Sequence, residues 1–210
     1  MSDIQSSTTE DVTKNRRGGQ GEFAPRVFEN FMNKAHHIYI SDVIKEPIHY
    51  VDLVHRIRAA GPDEVIYLYL NTPGGQLATG IQLIGAINAS NARIITVLDG
   101  EVCSLGSLLF LCGDDFIVND HCLLMIHNFS GGTAGKGHEQ VAQIEAQVKW
   151  FTKMAKDIYI PFLSEEELKE VIDGKDVWLD SEQVRVRLTK MIKQLKREHK
   201  KQMATAKENG

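Results

Sequence analysis

The middle of the chain, residues 27–184, alternates short β-branched or aromatic runs with stretches whose apolar residues recur at helical spacing. The strand pattern appears in HHIYISDVI, EVIYLYL, ARIITVLDG, DFIVN and CLLMIHNF. The helical pattern appears in YVDLVHRIRAA, LATGIQLIGAINAS and SLGSLLFLCG. Because strands that alternate with helices form βαβ units, the pattern predicts an α/β fold built on a largely parallel sheet.

A longer amphipathic helix is predicted from His138 onward, after the glycine-rich loop GGTAGKG, and Pro161 interrupts it near its end. Four of its large apolar side chains are expected to be exposed and to need a partner surface. These are Trp150, Phe151, Met154 and Ile158.

The two ends of the chain differ from this middle. Residues 1–26 consist mainly of Ser, Thr, Gly and charged residues, which predicts a flexible N-terminal arm. Residues 185–201 carry a net charge of +7, and this predicts a basic C-terminal tail over residues 185–210. The total charge is −4, so the rest of the chain carries −11 and is not expected to bind nucleic acid.

Composition limits the setting in which the chain works. Its 210 residues suffice for one domain, and no apolar run approaches the roughly 18 residues of a membrane span. The N-terminus lacks the apolar region of a secretory signal. The three cysteines, Cys103, Cys112 and Cys122, form no CxxC pair, which predicts reduced thiols, a cytoplasmic location and no zinc site.

Three segments could carry chemistry. In IYLYLNTPGGQ a strand ends in Pro73-Gly74-Gly75, which is either a plain tight turn or a close approach of the backbone to a ligand. In GEVCSLGSLLF, Ser104 precedes a buried helix; a serine there is usually an N-cap, but it can also be a nucleophile because the helix N-terminus favours negative charge. The segment is not a GxSxG elbow. In LLMIHNFSGG, His127 ends a buried strand and is either a core histidine or a base.

Taken in order, IYLYLNTPGG, GEVCSLGSLLF, LLMIHNFSGG and DVWLD resemble the corresponding blocks of the ClpP peptidases. The resemblance implies a serine peptidase in which Ser104 is the nucleophile, His127 the general base and Asp176 the orienting acid. It further implies that the backbone N–H groups of Gly75 and Leu105 form the oxyanion hole, and that no metal takes part.

The same resemblance covers residues 27–184 and implies a ClpP/crotonase-like superhelix of repeated ββα units, with the long helix protruding. The implied function is that of the proteolytic subunit of an ATP-dependent protease. Such a subunit hydrolyses unfolded polypeptides inside a homo-oligomeric chamber of two stacked heptameric rings. No cofactor is expected in this chain, because a separate AAA+ unfoldase would use the ATP. Residues 1–26 are expected at the axial pore, and no nucleic-acid or membrane partner is implied.

Two neighbouring aspartates compete with Asp176 for the role of the acid. Asp180 begins Asp-Ser-Glu-Gln, which is typical of a helix N-cap with a capping-box partner, and Asp173 precedes Gly174 at a turn. The chain also departs from the family pattern around the site. Cys103 and Leu105 flank the serine where alanine and methionine are common, and Phe129 stands where proline is common.

Other functions remain open at this stage. SGGTAGKG resembles a phosphate loop, but Ser130 and Gly137 replace a glycine and the Ser or Thr that the motif requires. A crotonase-like acyl-CoA enzyme would share the superhelix and the oxyanion hole. A catalytically inactive structural paralogue would share the whole fold. A cysteine enzyme would use Cys103 in place of Ser104.

Overall fold

The computed structural model describes residues 26–30 and 34–208 of the chain. The predicted N-terminal arm, residues 1–26, therefore lies outside the described residues except for Arg26. The described strands are β1 (Arg26–Asn30), β2 (Ala35–Ser41), β3 (Val65–Thr72), β4 (Arg93–Cys103), β5 (Asp115–Val118), β6 (Leu123–Ile126) and β7 (Val177–Asp180). The described helices are α1 (Val51–Ala59), α2 (Leu77–Asn88), α3 (Leu105–Leu111), α4 (Gly137–Tyr159), α5 (Glu165–Ile172) and α6 (Ser181–Glu208), with a 3-10 turn at Pro47–Tyr50.

These strands form one mixed sheet in the order β1-β2-β3-β4-β6-β7, with β5 also paired to β4. The central pairs β2–β3, β3–β4, β4–β5 and β4–β6 are parallel, whereas β1–β2 and β6–β7 are antiparallel. The predicted α/β fold with a largely parallel sheet is confirmed. Each strand and helix expected from the hydrophobic pattern appears within a few residues of its predicted place.

The long strand β4 changes partner along its length. Its first half pairs with β5, from Ile95 to Leu98, and its last three residues, Glu101–Cys103, pair with β6. The change occurs at Gly100, whose φ is +145°. As a result the C-terminal end of β4 lies between the ends of β3 and β6, where a parallel sheet presents its functional residues.

Helix α4 projects from the body over its first half. None of residues 137–150 is buried, and the apolar side chains Val141, Ile144, Val148 and Trp150 are exposed. The second half packs on the core through Phe151, Ala155 and Tyr159. The expectation that Phe151 is exposed is therefore wrong: its ring packs against Phe129, with 4.9 Å between ring centroids. Met154 and Ile158 are likewise partly buried against the core.

Helix α6 runs through the boundary that the sequence predicts between residues 184 and 185. Val184, Leu188 and Met191 are all buried on one face of it, so its first three turns belong to the body. Its N-terminus has the capping box predicted at Asp180: Gln183 N donates to Asp180 Oδ1 at 2.8 Å, and Asp180 N donates to Gln183 Oε1 at 3.0 Å.

An ion pair further ties α6 to α5. Arg187 donates from both terminal nitrogens to the two carboxylate oxygens of Glu167, at 2.9 and 2.6 Å. This bidentate contact lowers the pKa of Glu167 to about 2, from an ordinary value near 4.5.

In the part of the chain that the structure describes, no helix is both long and apolar enough to cross a membrane.

The depressed pKa of Glu167 predicts a pH-dependent contribution to stability. A carboxylate whose pKa is lower in the folded state stabilises above its unfolded pKa, and this contribution is lost as the pH falls from about 4.5 toward 2. In urea unfolding at pH 6 and pH 3, Glu167→Gln should lose less stability on acidification than the wild type. Glu165→Gln, an exposed position in the same helix, is the control. An identical loss in Glu167→Gln and the wild type would contradict the assignment.

Candidate active site

One cavity lies at the C-terminal ends of β3, β4 and β6. It has a volume of about 60 Å³ and is lined by Gly75, Ser104, Leu105 and His127, four of the five site residues predicted from the sequence. The remaining lining residues are Leu77, Leu108, Phe129, Ser130, Phe151 and Tyr159. The parallel sheet is the cause of this convergence, because it brings the C-terminal ends of neighbouring strands to one edge.

Ser104 occupies a strained turn between β4 and α3. Its φ is +55° and its ψ −121°, a conformation that costs a residue with a side chain about 1–3 kcal/mol. Although Ser104 stands at the N-cap position of α3, its side chain makes no capping hydrogen bond. Its N–H donates to Met125 O at 2.9 Å, which fixes the turn to β6. The half-buried hydroxyl is thus not used by the helix and lies at the cavity.

The Pro-Gly-Gly turn after β3 packs against this serine turn without room for side chains. A Cβ on Gly74 would lie 2.8 Å from Ser104 Cβ and 3.1 Å from Leu105 N, and φ of Gly74 is +99°. A Cβ on Gly75 would lie 2.1 Å from the Ile44 carbonyl oxygen. The two glycines therefore serve a close approach of backbone to backbone, not only a tight turn.

Two backbone N–H groups remain available at the cavity. An isolated parallel bridge joins Ile44 and Gly75, in which Ile44 N donates to Gly74 O at 2.8 Å and Gln76 N donates to Ile44 O at 2.9 Å. The N–H of Gly75 itself takes no part in these two hydrogen bonds. Leu105 is the first residue of α3, where N–H groups have no acceptor within the helix. Among the described residues, neither N–H donates to another backbone group.

His127 follows β6 directly and is half-buried. The last pair of the antiparallel β6–β7 ladder is Ile126 with Val177, and His127 and Asp176 directly adjoin this pair at the same end of the two strands. Asp176 is exposed and does not line the cavity. Within the described structure, no hydrogen bond joins Ser104 to His127 or His127 to Asp176.

The two competing aspartates, Asp180 and Asp173, have structural roles at helix ends. Asp180 is engaged in the capping box of α6. Asp173 is the C-cap of α5, where its N–H donates to Lys169 O at 2.9 Å, as expected for a turn residue. Neither lines the cavity.

Asn128 holds the loop that carries His127, and the sequence did not predict this role. Its Nδ2 donates to Ile172 O at 2.8 Å, and its Oδ1 accepts from Phe129 N at 2.8 Å. The first bond holds the loop after His127 against the end of α5, close to the segment that carries Asp176, and the second fixes the local turn at Asn128. Only its place directly after His127 could have drawn attention to it, because its partner is 44 residues away.

Cys103 differs from Ser104 in that its side chain is buried and does not line the cavity. It is buried, and its thiol donates to Glu101 Oε1 at 3.4 Å. Burial, together with the neighbouring Glu101, raises the pKa of the Cys103 thiol to about 12. Since the thiolate is the nucleophilic form, Cys103 is poorly suited to attack a carbonyl at neutral pH.

Across the described residues, no group of three or more His, Cys, Asp or Glu side chains is arranged to hold a metal ion.

Comparison with known protein families gives a match to the Clp protease family over residues 20–202. The matched segment contains the whole sheet, the cavity and the first part of α6, including the buried residues beyond position 184. The arrangement of sheet and helices is that expected of a ClpP-type peptidase. The chain belongs to the Clp protease family.

Proposed function

We propose that this protein is the proteolytic subunit of an ATP-dependent protease, a serine endopeptidase that uses Ser104, His127 and Asp176. One observation carries the proposal most strongly. A serine in a strained turn, free of any capping bond, shares a cavity with a histidine and with two unused backbone N–H groups. A structural serine would need none of these features, and a strained conformation is retained mainly where function requires it.

The proposed reaction follows from this geometry. Ser104 Oγ attacks the carbonyl carbon of the scissile peptide while His127 takes the hydroxyl proton. The N–H groups of Gly75 and Leu105 donate to the oxyanion of the tetrahedral intermediate. His127 then gives its proton to the leaving amine, the C–N bond breaks, and water attacks the acyl-enzyme by the same route. Asp176 orients the ring of His127 and stabilises its protonated form.

The absence of formed hydrogen bonds within the triad fits this proposal. Catalytic hydrogen bonds are often long without substrate and tighten when it binds. Ser104 and His127 already line one cavity, and Asp176 directly precedes β7, at the end of the sheet where His127 follows β6.

The same contacts weigh against the other functions. An inactive paralogue has no use for the strain at Ser104 or for the close approach of Gly74 to it. An acyl-CoA enzyme would share the oxyanion hole but would not need a histidine and a serine together in the cavity. A cysteine enzyme would need a thiolate, which the burial of Cys103 disfavours.

The exposed half of α4 supports the assembly that the proposal includes. Val141, Ile144 and Val148 form one exposed apolar stripe on a helix with no buried side chain before Phe151. Such a stripe requires cover, and stacking of two heptameric rings of this chain would supply it. The ATP would be used by an AAA+ unfoldase partner that delivers unfolded chains, with no cofactor in this subunit. The free cysteines suit a reducing compartment such as the cytoplasm.

The triad assignment predicts different results for two aspartates of the same segment. Asp176→Asn should lower the turnover of a short fluorogenic peptide by roughly ten-thousandfold, the scale seen when a triad carboxylate is neutralised. Asp180→Asn is the matched control and should keep near-normal turnover, because asparagine caps a helix about as well as aspartate. Ser104→Ala should abolish hydrolysis. Inactivity of Asp180→Asn together with normal turnover of Asp176→Asn would reverse the assignment.

The size of the cavity predicts the preferred substrate side chain. An engineered cavity of about 150 Å³ in another protein binds benzene, so a cavity of about 60 Å³, lined here by both polar and apolar residues, has room for no more than a small aliphatic side chain beside the scissile bond. Peptides with alanine or valine there should be cut at least about tenfold better than peptides with phenylalanine. Phe129→Ala should remove most of this difference, whereas Phe116→Ala, a ring outside the cavity, should not. A wild-type preference for phenylalanine would contradict the inference that this cavity receives the substrate side chain.

The chamber predicts a size and a limit on substrates. Light scattering should give a particle of about fourteen chains of 23.5 kDa, and Ile144→Glu in the apolar stripe should halve that mass. The purified protein should cut short peptides but leave a stably folded protein intact unless an AAA+ unfoldase and ATP are added, because folded domains are stable by about 5–15 kcal/mol. A monomeric wild type, or rapid degradation of a folded protein by this chain alone, would contradict the chamber.

A further inference from the structure

A chain of buried hydroxyl groups leads from helix α4 to the peptide bond that follows Ser104. Tyr159, which is 1% exposed, has its hydroxyl oxygen 2.8 Å from Ser107 Oγ. Ser107 is fully buried, and its Oγ lies 2.7 Å from the carbonyl oxygen of Ser104. Neither hydroxyl has a role in the reaction steps described above.

The direction of these hydrogen bonds is determined by chemistry. The Ser104 carbonyl can only accept, so Ser107 must donate its single hydroxyl proton to it. Ser107 Oγ therefore accepts from the Tyr159 hydroxyl, which donates. Burial raises the pKa of Tyr159 above its ordinary value, so this hydroxyl keeps its proton at any working pH. The backbone N–H of Ser107 also donates to the Ser104 carbonyl, at 2.9 Å.

Fixing this carbonyl fixes the N–H on the other side of the same peptide plane. The plane contains the carbonyl of Ser104 and the N–H of Leu105, and in a trans peptide these two groups point in opposite directions. Because the carbonyl is held into α3 by two donors from Ser107, the Leu105 N–H is aimed away from the helix. It is therefore aimed toward the side where Ser104 and Leu105 border the cavity.

The conformation of Ser104 makes such support necessary. At φ +55° and ψ −121° the residue before this peptide plane lies outside the common backbone wells, so the plane would relax if it were not restrained. The hydroxyl pair adds a buried, mutually polarising restraint to the single backbone bond. In addition, both residues are almost fully buried, which keeps water away from this pair.

We propose that Ser107 and Tyr159 are positioning residues that aim the Leu105 N–H at the oxyanion. This inference rests on the proposed serine peptidase function. It assigns to these two hydroxyls an effect on the transition state and none on the binding of the substrate in its ground state. A donor that is aimed poorly loses part of what a missing donor loses, which is about a hundredfold to a thousandfold in turnover.

The test uses Tyr159→Phe and Ser107→Ala in the full-length protein. Each variant should lower kcat for a short peptide by about tenfold to a hundredfold with KM within twofold of the wild type. The affinity for a peptide boronate, which forms a tetrahedral adduct on the serine, should fall by the same factor as kcat/KM. Tyr159→Phe keeps the ring and removes only the oxygen, so it decides the matter if Ser107→Ala fails to fold.

Thr96→Val is the matched control. The Thr96 hydroxyl is equally buried and donates to Phe110 O at 2.7 Å, near the other end of the same helix α3. Thr96→Val should lower the urea midpoint about as much as Ser107→Ala or Tyr159→Phe does. It should leave kcat and the boronate affinity at their wild-type values.

The inference is overturned if Tyr159→Phe keeps wild-type kcat, or if its kcat falls without a parallel loss of boronate affinity. It is also overturned if Thr96→Val loses as much kcat and boronate affinity as Tyr159→Phe. These results differ from failure of the proposed function itself, in which the wild type would hydrolyse no peptide and bind no boronate.

Discussion

The site depends on one close approach of backbone to backbone. The Gly-Gly turn after β3 lies against the turn from β4 into α3 so closely that any Cβ on Gly74 would meet Ser104 and Leu105. This approach brings the Gly75 and Leu105 N–H groups to one cavity and keeps Ser104 in its strained conformation. The rest of the sheet can be understood as the frame that holds these two turns together.

That frame explains why β4 has two partners. Pairing with β5 anchors the start of the strand in the core, and pairing with β6 brings its end beside the strand that leads to His127. The hydrogen bond from Ser104 N to Met125 O continues the second pairing into the turn itself. On the far side, the antiparallel pair β6–β7 brings Asp176, which directly precedes β7, to the end of the sheet where His127 follows β6. Three neighbouring strand ends thus present the proposed nucleophile, base and acid in spatial order.

Local patterns were sufficient to predict most of the elements and one detail of geometry, but not β1 or the 3-10 turn at Pro47–Tyr50. Period-two and helical spacing identified the strands and helices, and the Asp180 capping box was readable because its partner is three residues away. Contacts between distant residues were not readable. The burial of Phe151 depends on Phe129, and the role of Ser107 depends on Tyr159, 52 residues further along the chain. Likewise, charge made residues 185–191 look like a tail, although Leu188 and Met191 hold them in the core.

The central claim is that Ser104 and His127 act on one substrate carbonyl, and a peptide chloromethyl ketone tests it directly. The serine oxygen adds to the ketone carbonyl, and the nearby imidazole nitrogen displaces chloride to form a stable carbon–nitrogen bond. After digestion, mass spectrometry should find the peptide adduct on His127 in the wild type and no adduct there in Ser104→Ala. Alkylation of Cys103 in place of His127, or labelling of His127 that is unaffected by Ser104→Ala, would contradict the claim.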